Sequence, residues 1–294
     1  MKKSIRFIIN PRSGTSEKKE LPELIRSVID RDRFDTDIRF TERAGHAALL
    51  AEESVSSGTD IVAVAGGDGS VNEVTGPLLH SKSALAILPF GSGNGLARHL
   101  SIPLETKRAL ELINSGEGNM IDAFIAGSHV GIGTFGLGFD AHVAHLFAQS
   151  KTRGYSTYVK LVLGEFIRYK PISLHITLKG ESKTVSPFLF TVANSSQFGN
   201  NAVIAPGADI SDGLLDIATV NPFPIYAAPG LIYRLISNKL QFSGYFSRYL
   251  ADEISFSNYE TIKAHIDGEP VEIQGDFSVK IIPGSIRIIV PSCR

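Results

Sequence analysis

Ile61-Val62-Ala63-Val64-Ala65-Gly66-Gly67-Asp68-Gly69-Ser70-Val71-Asn72-Glu73-Val74 is the stretch on which the reading of the fold turns. Its apolar, β-branched opening reads as a buried strand. The strand breaks into Gly66-Gly67-Asp68-Gly69 and resumes as a helical segment opened by Ser70. Glycines let the backbone turn sharply and bring peptide N–H groups close to a ligand. A helix N-terminus just after them adds positive potential suited to phosphate. Asp68 is the only charged side chain of this loop, which points to metal coordination or proton abstraction. The plainer reading is a Gly-rich turn with Asp68 as the helix N-cap. The loop alone does not choose between the two.

Working outward, the flanking sequence repeats the pattern. Ser4–Ile9 reads as a first strand, followed by the turn Asn10-Pro11-Arg12-Ser13-Gly14. Lys19–Ile29 carries Leu21, Leu24, Ile25 and Val28 at helical spacing, and Phe34–Phe40 reads as a strand. Thr41 is placed to cap a helix over Arg43–Ser56. After the helix Ser70–Leu79 comes a strand, Leu85–Pro89, then Phe90-Gly91-Ser92-Gly93-Asn94-Gly95 and helices over Leu96–Leu100 and Glu105–Asn114. A strand at Asn119–Ile125 completes this half. Strands alternating with helices predict a doubly wound α/β domain over residues 1–126. Ligands of such sheets bind beyond the carboxyl ends of the strands. Asn10–Gly14, Gly66–Ser70 and Gly91–Gly95 would all lie there.

From residue 127 to 294 the character changes to short strand-like runs, predicting a β-rich, antiparallel sandwich domain. These runs are Val130–Phe135, Ser173–Leu178, Pro187–Ala193, Leu215–Val220, Thr261–Ile266, Val271–Gln274, Ser278–Ile282 and Ile286–Val290. Two helices are expected among them, over Gly154–Tyr169 and Pro229–Tyr249.

Composition bounds the function. The 294 residues carry a net charge of −1, with 43% hydrophobic and 20% charged residues, so nothing drives the whole chain onto nucleic acid. The single cysteine, Cys293, excludes an internal disulfide and a cysteine metal cluster. The apolar run after Met1 is too short for a signal peptide, and no stretch reaches the roughly 20 apolar residues that span a bilayer. A cytoplasmic location, with peripheral contact at the inner membrane face left open, is the expectation.

With these pieces placed, nearly the whole chain resembles the diacylglycerol kinase catalytic-domain superfamily, which includes bacterial lipid kinases and the sphingosine and ceramide kinases. The resemblance is carried by Asn10-Pro11-Arg12-Ser13-Gly14, Gly66-Gly67-Asp68-Gly69-Ser70-Val71-Asn72-Glu73, Pro89-Phe90-Gly91-Ser92-Gly93-Asn94-Gly95-Leu96-Ala97-Arg98 and Asp267-Gly268-Glu269, in the family's order. NAD kinases share Gly-Gly-Asp-Gly but not the third loop. Two departures stand out. Gly95 replaces the acid that many bacterial members carry, which is nearer the sphingosine and ceramide kinase form. Ser211, in Ala208-Asp209-Ile210-Ser211-Asp212-Gly213, replaces the first acid of a pair that binds a structural metal in some members.

The resemblance implies transfer of the γ-phosphoryl group of ATP, with Mg²⁺, to a lipid hydroxyl such as that of diacylglycerol, phosphatidylglycerol or a sphingoid base, in an interdomain cleft. Asn10, Arg12, Ser13 and Gly14 would meet the nucleotide, as would Gly66, Gly67, Gly69 and Ser70. Glu73 would support that loop or face the nucleotide, and Gly91, Ser92, Gly93 and Asn94 would form the opposite lip. Asp68, Asp267 and Glu269 are the catalytic candidates, with Asp68 and Asp267 also candidates for the catalytic Mg²⁺. Asp267-Gly268 reads equally as a type I′ hairpin turn. Asp140 and Asp122 are candidates for the acceptor side, Asp140 alternatively as a helix cap. Asp209 and Asp212 would hold a structural Mg²⁺, or close a β-turn. His142 and His145 could share a helix face, which suits packing better than metal.

The partners implied are a lipid at a membrane surface and, as an option, a second copy of the chain. Lys151, Arg153, Lys160, Arg168 and Lys170 lie among Tyr155, Tyr158, Leu161, Val162, Leu163 and Phe166. Leu231–Tyr249 sets Arg234, Lys239 and Arg248 among apolar residues. Each segment reads as interfacial or as a helix packed on the sandwich. An NAD kinase-like phosphotransferase and a nucleotide-binding regulator without turnover are the alternatives.

Overall fold

The computed structural model describes residues 2–14, 18–150, 155–257 and 260–292. Lys151, Arg153 and Cys293, together with the side chain of Tyr155, lie outside the described residues. The chain divides into two compact units, Met1–Ile121 with Gly284–Arg294, and Asp122–Pro283. The sequence reading places all of 127–294 in the second domain. The last residues instead pack with the first unit, because Arg287 and Ile288 pair in parallel with Ala84 and Leu85.

The first unit runs β1 (Lys3–Ile9), α1 (Leu21–Val28), β2 (Phe34–Phe40), α2 (His46–Ser56), β3 (Ile61–Gly66), α3 (Asp68–Leu78), β4 (Ala84–Pro89), α4 (Gly95–His99) and α5 (Thr106–Ser115). Strand β5 (Glu117–Ala126) crosses the division. The sheet order is β2-β1-β3-β4, all parallel. β3 is buried along its whole length, as a strand covered on both faces must be. Ile5, Phe7, Ile9, Ala63, Ala65 and Leu88 pack against Leu21 and Ile25 of α1 and Leu110 of α5. Helix α2 begins later than its sequence predicts, at a left-handed Gly45 cap. Thr41 caps nothing; its N–H bonds to Ile9 O and prolongs the β1–β2 pairing. Likewise Gly67, not Asp68, is the N-cap of α3, and Asp68 is its first helical residue.

The second unit contains β6 (His129–Gly131), β7 (Thr134–Gly138), α6 (Phe139–Gln149), α7 (Tyr155–Glu165), β8 (Leu174–Leu178), β9 (Glu181–Val185), β10 (Leu189–Ala193) and β11 (Leu215–Val220). Then follow α8 (Ala228–Ile236), β12 (Phe246–Ala251), β13 (Glu253–Ser257), β14 (Ile262–Ile266), β15 (Glu269–Ile273) and β16 (Phe277–Val290), whose last residues belong to the first unit. One antiparallel layer is ordered β12-β11-β10-β7-β14-β15. The other is β16-β13-β8-β9. Phe124, Phe135, Phe190, Phe256 and Phe277 fill the core of this unit, with Phe256 and Phe277 stacked at 4.7 Å.

The differences from the sequence reading have local causes. The single strand expected over Val130–Phe135 is split into β6 and β7, because the amides of Ile132 and Gly133 bond to a side chain instead of a ladder. The long helix expected over Pro229–Tyr249 stops at Ile236; Asn238 turns left-handed at φ 55°, and Phe246–Ala251 pairs with β11. Ser278–Ile282 and Ile286–Val290 are parts of one strand. β9 was not anticipated because its residues are polar and exposed, an edge with no buried face. Phe135 is fully buried against Phe256 and Phe277. Phe135→Ala is therefore expected to cost the second unit about 3–5 kcal/mol, read as a lower urea midpoint.

Candidate active site

The parallel order places the loops after β1, β3 and β4 at one edge, and the structure knits them together. Asn10 donates its N–H to Ala65 O at 3.0 Å and its Nδ2 to Ser70 Oγ at 3.0 Å. Its Oδ1 accepts the Arg12 N–H, while the Arg12 side chain lies exposed. Phe90 N–H reaches Gly66 O at 2.8 Å. Gly67 and Gly91 touch backbone to backbone: a Cβ on Gly91 would stand 2.7 Å from Gly67 Cα and 2.7 Å from Asn94 Oδ1. No side chain fits at that crossing. Asn94, left-handed at φ 50°, closes its own loop by accepting the Gly91 N–H and donating to Gly91 O, both at 2.8 Å.

Asp68 ties the second loop to the third. Its Oδ2 accepts the Asn94 N–H at 2.9 Å and its Oδ1 the Gly95 N–H at 2.8 Å. The carboxylate therefore satisfies the first amides of α4, while the first-turn amides of α3, from Asp68 to Ser70, have no helical acceptors by construction. Ser13, Gly66, Gly67, Gly69, Gly93 and the exposed Ser92 belong to the same set of loops. Glu73 does not join them: its Oε2 accepts the Ala47 N–H at 3.1 Å and holds the start of α2.

Lys18 is a residue that motif reading missed. It is 5% exposed, and its Nζ donates to Asn10 O at 2.7 Å, to Ser13 Oγ at 2.7 Å and to Ser13 O. It also lies 4.8 Å from the centre of the Phe90 ring. Burial pushes the ammonium down from 10.5 to about 8, against the pull of three acceptors that suit its three N–H donors. Its position outside the motifs left no signal in sequence.

The second unit builds a separate constellation. Asp267 and Gly268 join β14 to β15 with φ of 52° and 85°, as a type I′ turn requires. The Asp267 carboxylate accepts the N–H groups of Ile132 at 3.1 Å, Gly133 at 2.8 Å and Thr134 at 2.8 Å. Gly133 O in turn accepts the N–H groups of Asn194 and Ser195. Asn194 Oδ1 and Ser195 Oγ are buried there without a hydrogen-bond partner among the described residues. Glu269 is exposed at the start of β15.

Asp140 is buried in α6 and bonds to Thr191 Oγ1 and His265 Nε2, each at 3.2 Å. It also accepts the N–H of the adjacent Ala141 at 3.0 Å. Burial, then the charge of Asp140, pushes the Tyr169 hydroxyl up to about 12. Asp122 is buried and accepts the Gly213 N–H at 2.8 Å. His142 pairs with Glu165 at 2.9 Å, and His145 meets the carbonyls of Ala264 and Val271, so both serve packing.

Comparison with known proteins settles the family. Residues 4–125 match the diacylglycerol kinase catalytic domain. Residues 133–290 match the YegS C-terminal NAD kinase beta sandwich-like domain. The chain belongs to the family of the YegS C-terminal NAD kinase beta sandwich-like domain, joined here to a diacylglycerol kinase catalytic domain. It is 28% identical over 295 residues to "Probable lipid kinase YegS-like" of Chromohalobacter salexigens, covering 97% of this chain and 92% of the relative. The Pseudomonas putida protein of the same description is 27% identical, over 94% and 93% of the two chains. A crystal structure of a diacylglycerol kinase from Bacillus anthracis str. Sterne has the same fold, with a TM-score of 0.74 at 20% identity over 99% of this chain and 97% of that one.

At Asp209 and Asp212 one oxygen of each carboxylate is engaged locally. Asp209 Oδ1 accepts from both the N–H and the Oγ of Ser211, and Asp212 Oδ1 accepts the Leu214 N–H. Each carboxylate makes a local Asx turn, and no group of three or more His, Cys, Asp or Glu side chains is poised for a metal among the described residues. These local bonds are those a β-turn over residues 209–213 makes. The Lys18 site yields a pH test. Its folded pKa lies below the unfolded 10.5, so between about pH 8 and 10.5 the unfolded chain binds more protons and stability rises with pH. Lys18→Met is expected to flatten that rise, seen by comparing the thermal midpoints of both proteins at pH 8 and pH 10.

Proposed function

We propose that this kinase transfers the γ-phosphoryl group of ATP to a lipid hydroxyl, the loops of the first unit holding the phosphates and the second unit holding the acceptor. The observation that carries this is the convergence of the loops after β1, β3 and β4, closed by Asp68 on the Asn94 and Gly95 amides. Loop amides and the N-terminus of α3 suit a polyphosphate. Carboxylate oxygens are the hard ligands that Mg²⁺ takes, and Asp68 and Asp267 are the residues proposed to hold it. Bound there, Mg²⁺ would neutralise phosphate charge. Asp68, Asp267 and Glu269 are proposed for removing the acceptor's proton, and Asp140 and Asp122 for the acceptor side.

The outward face of α8 supports access to a lipid surface. Leu231 packs inward, while Ile232, Tyr233 and Ile236 are exposed, as are Ile225, Tyr226 and Phe242 beside the helix. No acidic residue occurs between Asp216 and Asp252, whereas Arg234 and Lys239 lie within that span. A cationic, aromatic-edged apolar face suits an anionic bilayer. No described helix is long and apolar enough to cross a membrane.

The assay offers labelled ATP and Mg²⁺ with diacylglycerol, phosphatidylglycerol, sphingoid bases, ceramide and NAD. Label in one lipid, lost in Asp68→Ala, is the expected result. Label in NAD alone would replace the reading with an NAD kinase, and bound ATP without transfer would favour the regulator. For the surface, Ile232→Ser with Phe242→Ser is expected to weaken binding to phosphatidylglycerol vesicles by about tenfold or more. Unchanged vesicle binding with a halved mass in sedimentation would give the face to a second copy instead.

A further inference from the structure

Across β10, β7 and β14, Thr191, Gly136 and His265 stand directly opposite one another. Their chain neighbours Phe190, Val192, Phe135, Leu137, Ala264 and Ile266 belong to the core of the sandwich, so by strand alternation these three face the other way. The middle member has no side chain, and a Cβ on Gly136 would collide with both His265 Nε2 and Asp140 Oδ2. The gap is filled by the Asp140 carboxylate, 3.2 Å from Thr191 Oγ1 on one side and 3.2 Å from His265 Nε2 on the other.

The second ring nitrogen of His265 is also engaged. Its Nδ1 stands 3.3 Å from the N–H of Gly268, which donates to it. A neutral imidazole that accepts at Nδ1 carries its proton at Nε2, so the ring donates to Asp140. Phe198 packs edge-on to the imidazole at 6.0 Å. His265 and Asp140 are 3% and 7% exposed, and a buried pair of this kind is weak evidence for stability. What distinguishes it is where its ends lie: one on Asp140, the other inside the turn whose Asp267 carboxylate holds Ile132, Gly133 and Thr134.

We propose that His265 is a positioning residue that fixes the acceptor-side carboxylate Asp140 and the Asp267-Gly268-Glu269 turn relative to each other through its two ring nitrogens. The proposal rests on the lipid kinase reading for its catalytic consequence, and on geometry alone for the coupling. His265 serves the reaction through these groups and touches no reacting atom.

Two variants separate the two ends. Asn keeps an acceptor near Nδ1, and Gln keeps a donor near Nε2. His265→Asn is expected to raise the KM for the lipid about tenfold with kcat nearly kept, and His265→Gln to lower kcat about tenfold with KM nearly kept, each being the loss of one buried hydrogen bond. Lowered melting points with wild-type kcat and KM in both would make His265 merely structural and overturn the proposal.

The coupling is also read without turnover, by the amide resonance of Gly268 in the labelled protein. Asp140→Asn is expected to shift it in the wild-type background and leave it unmoved when His265 is already Gln. An unshifted resonance, or a histidine protonated at Nδ1 in the wild type, overturns the proposal even if neither His265 variant folds. Absence of phosphoryl transfer to any lipid by the wild type sinks the lipid kinase reading instead, and the resonance still decides the coupling.

Discussion

A backbone N–H that leaves a ladder or opens a helix must find an acceptor, and in this chain aspartates supply it. Asp68 takes the amides of Asn94 and Gly95, Asp267 those of Ile132, Gly133 and Thr134, and Asp122 that of Gly213. A carboxylate offers about four lone-pair positions on two oxygens, so one side chain can hold two or three successive peptide groups. An amide side chain has a single acceptor oxygen and so fewer such positions. The loops after β1 and β4 are fastened in addition by the neutral side chains of Asn10 and Asn94, while the bonds to the aspartates are charge-assisted.

This duty makes structural anchors of residues that are also candidates for chemistry. Asp267-Gly268 is a type I′ turn, and it also presents a carboxylate to a neighbouring loop. The turn geometry is what aims that carboxylate. The same applies to Asp68, which opens a helix and binds the start of another. A residue's structural employment does not argue against a chemical one where the chemistry needs a rigid, correctly aimed group.

Much of the first unit was legible because period and punctuation agree there. β3 is a short apolar run ended by glycines, Phe34–Phe40 was bounded as observed, and the parallel order follows from alternation of strand and helix. In the second unit the polar edge strand β9 had no buried face to betray it, although Lys179 and Gly180, both at positive φ, mark its hairpin. The helix expected to reach Tyr249 had apolar residues enough, but Asn238 and a strand pairing with β11 outweighed propensity. His265 carried no distinguishing signal, because it follows Thr261 and Lys263 on the alternating polar positions of its strand. Lys18 carried none, since its acceptors are mostly backbone oxygens that no sequence pattern displays.

The pairing of Arg287 and Ile288 with Ala84 and Leu85 has a consequence for biosynthesis. β4 stays an open strand edge until a segment about 200 residues downstream has been made, which at ribosomal speed is roughly 10–40 s. Through that interval the nascent first unit offers unpaired N–H and C=O groups of an apolar strand to any passing chain. Such a protein depends on rapid folding of what lies between, or on being shielded meanwhile. The order in which its parts emerge is a hazard that its finished sheet no longer shows.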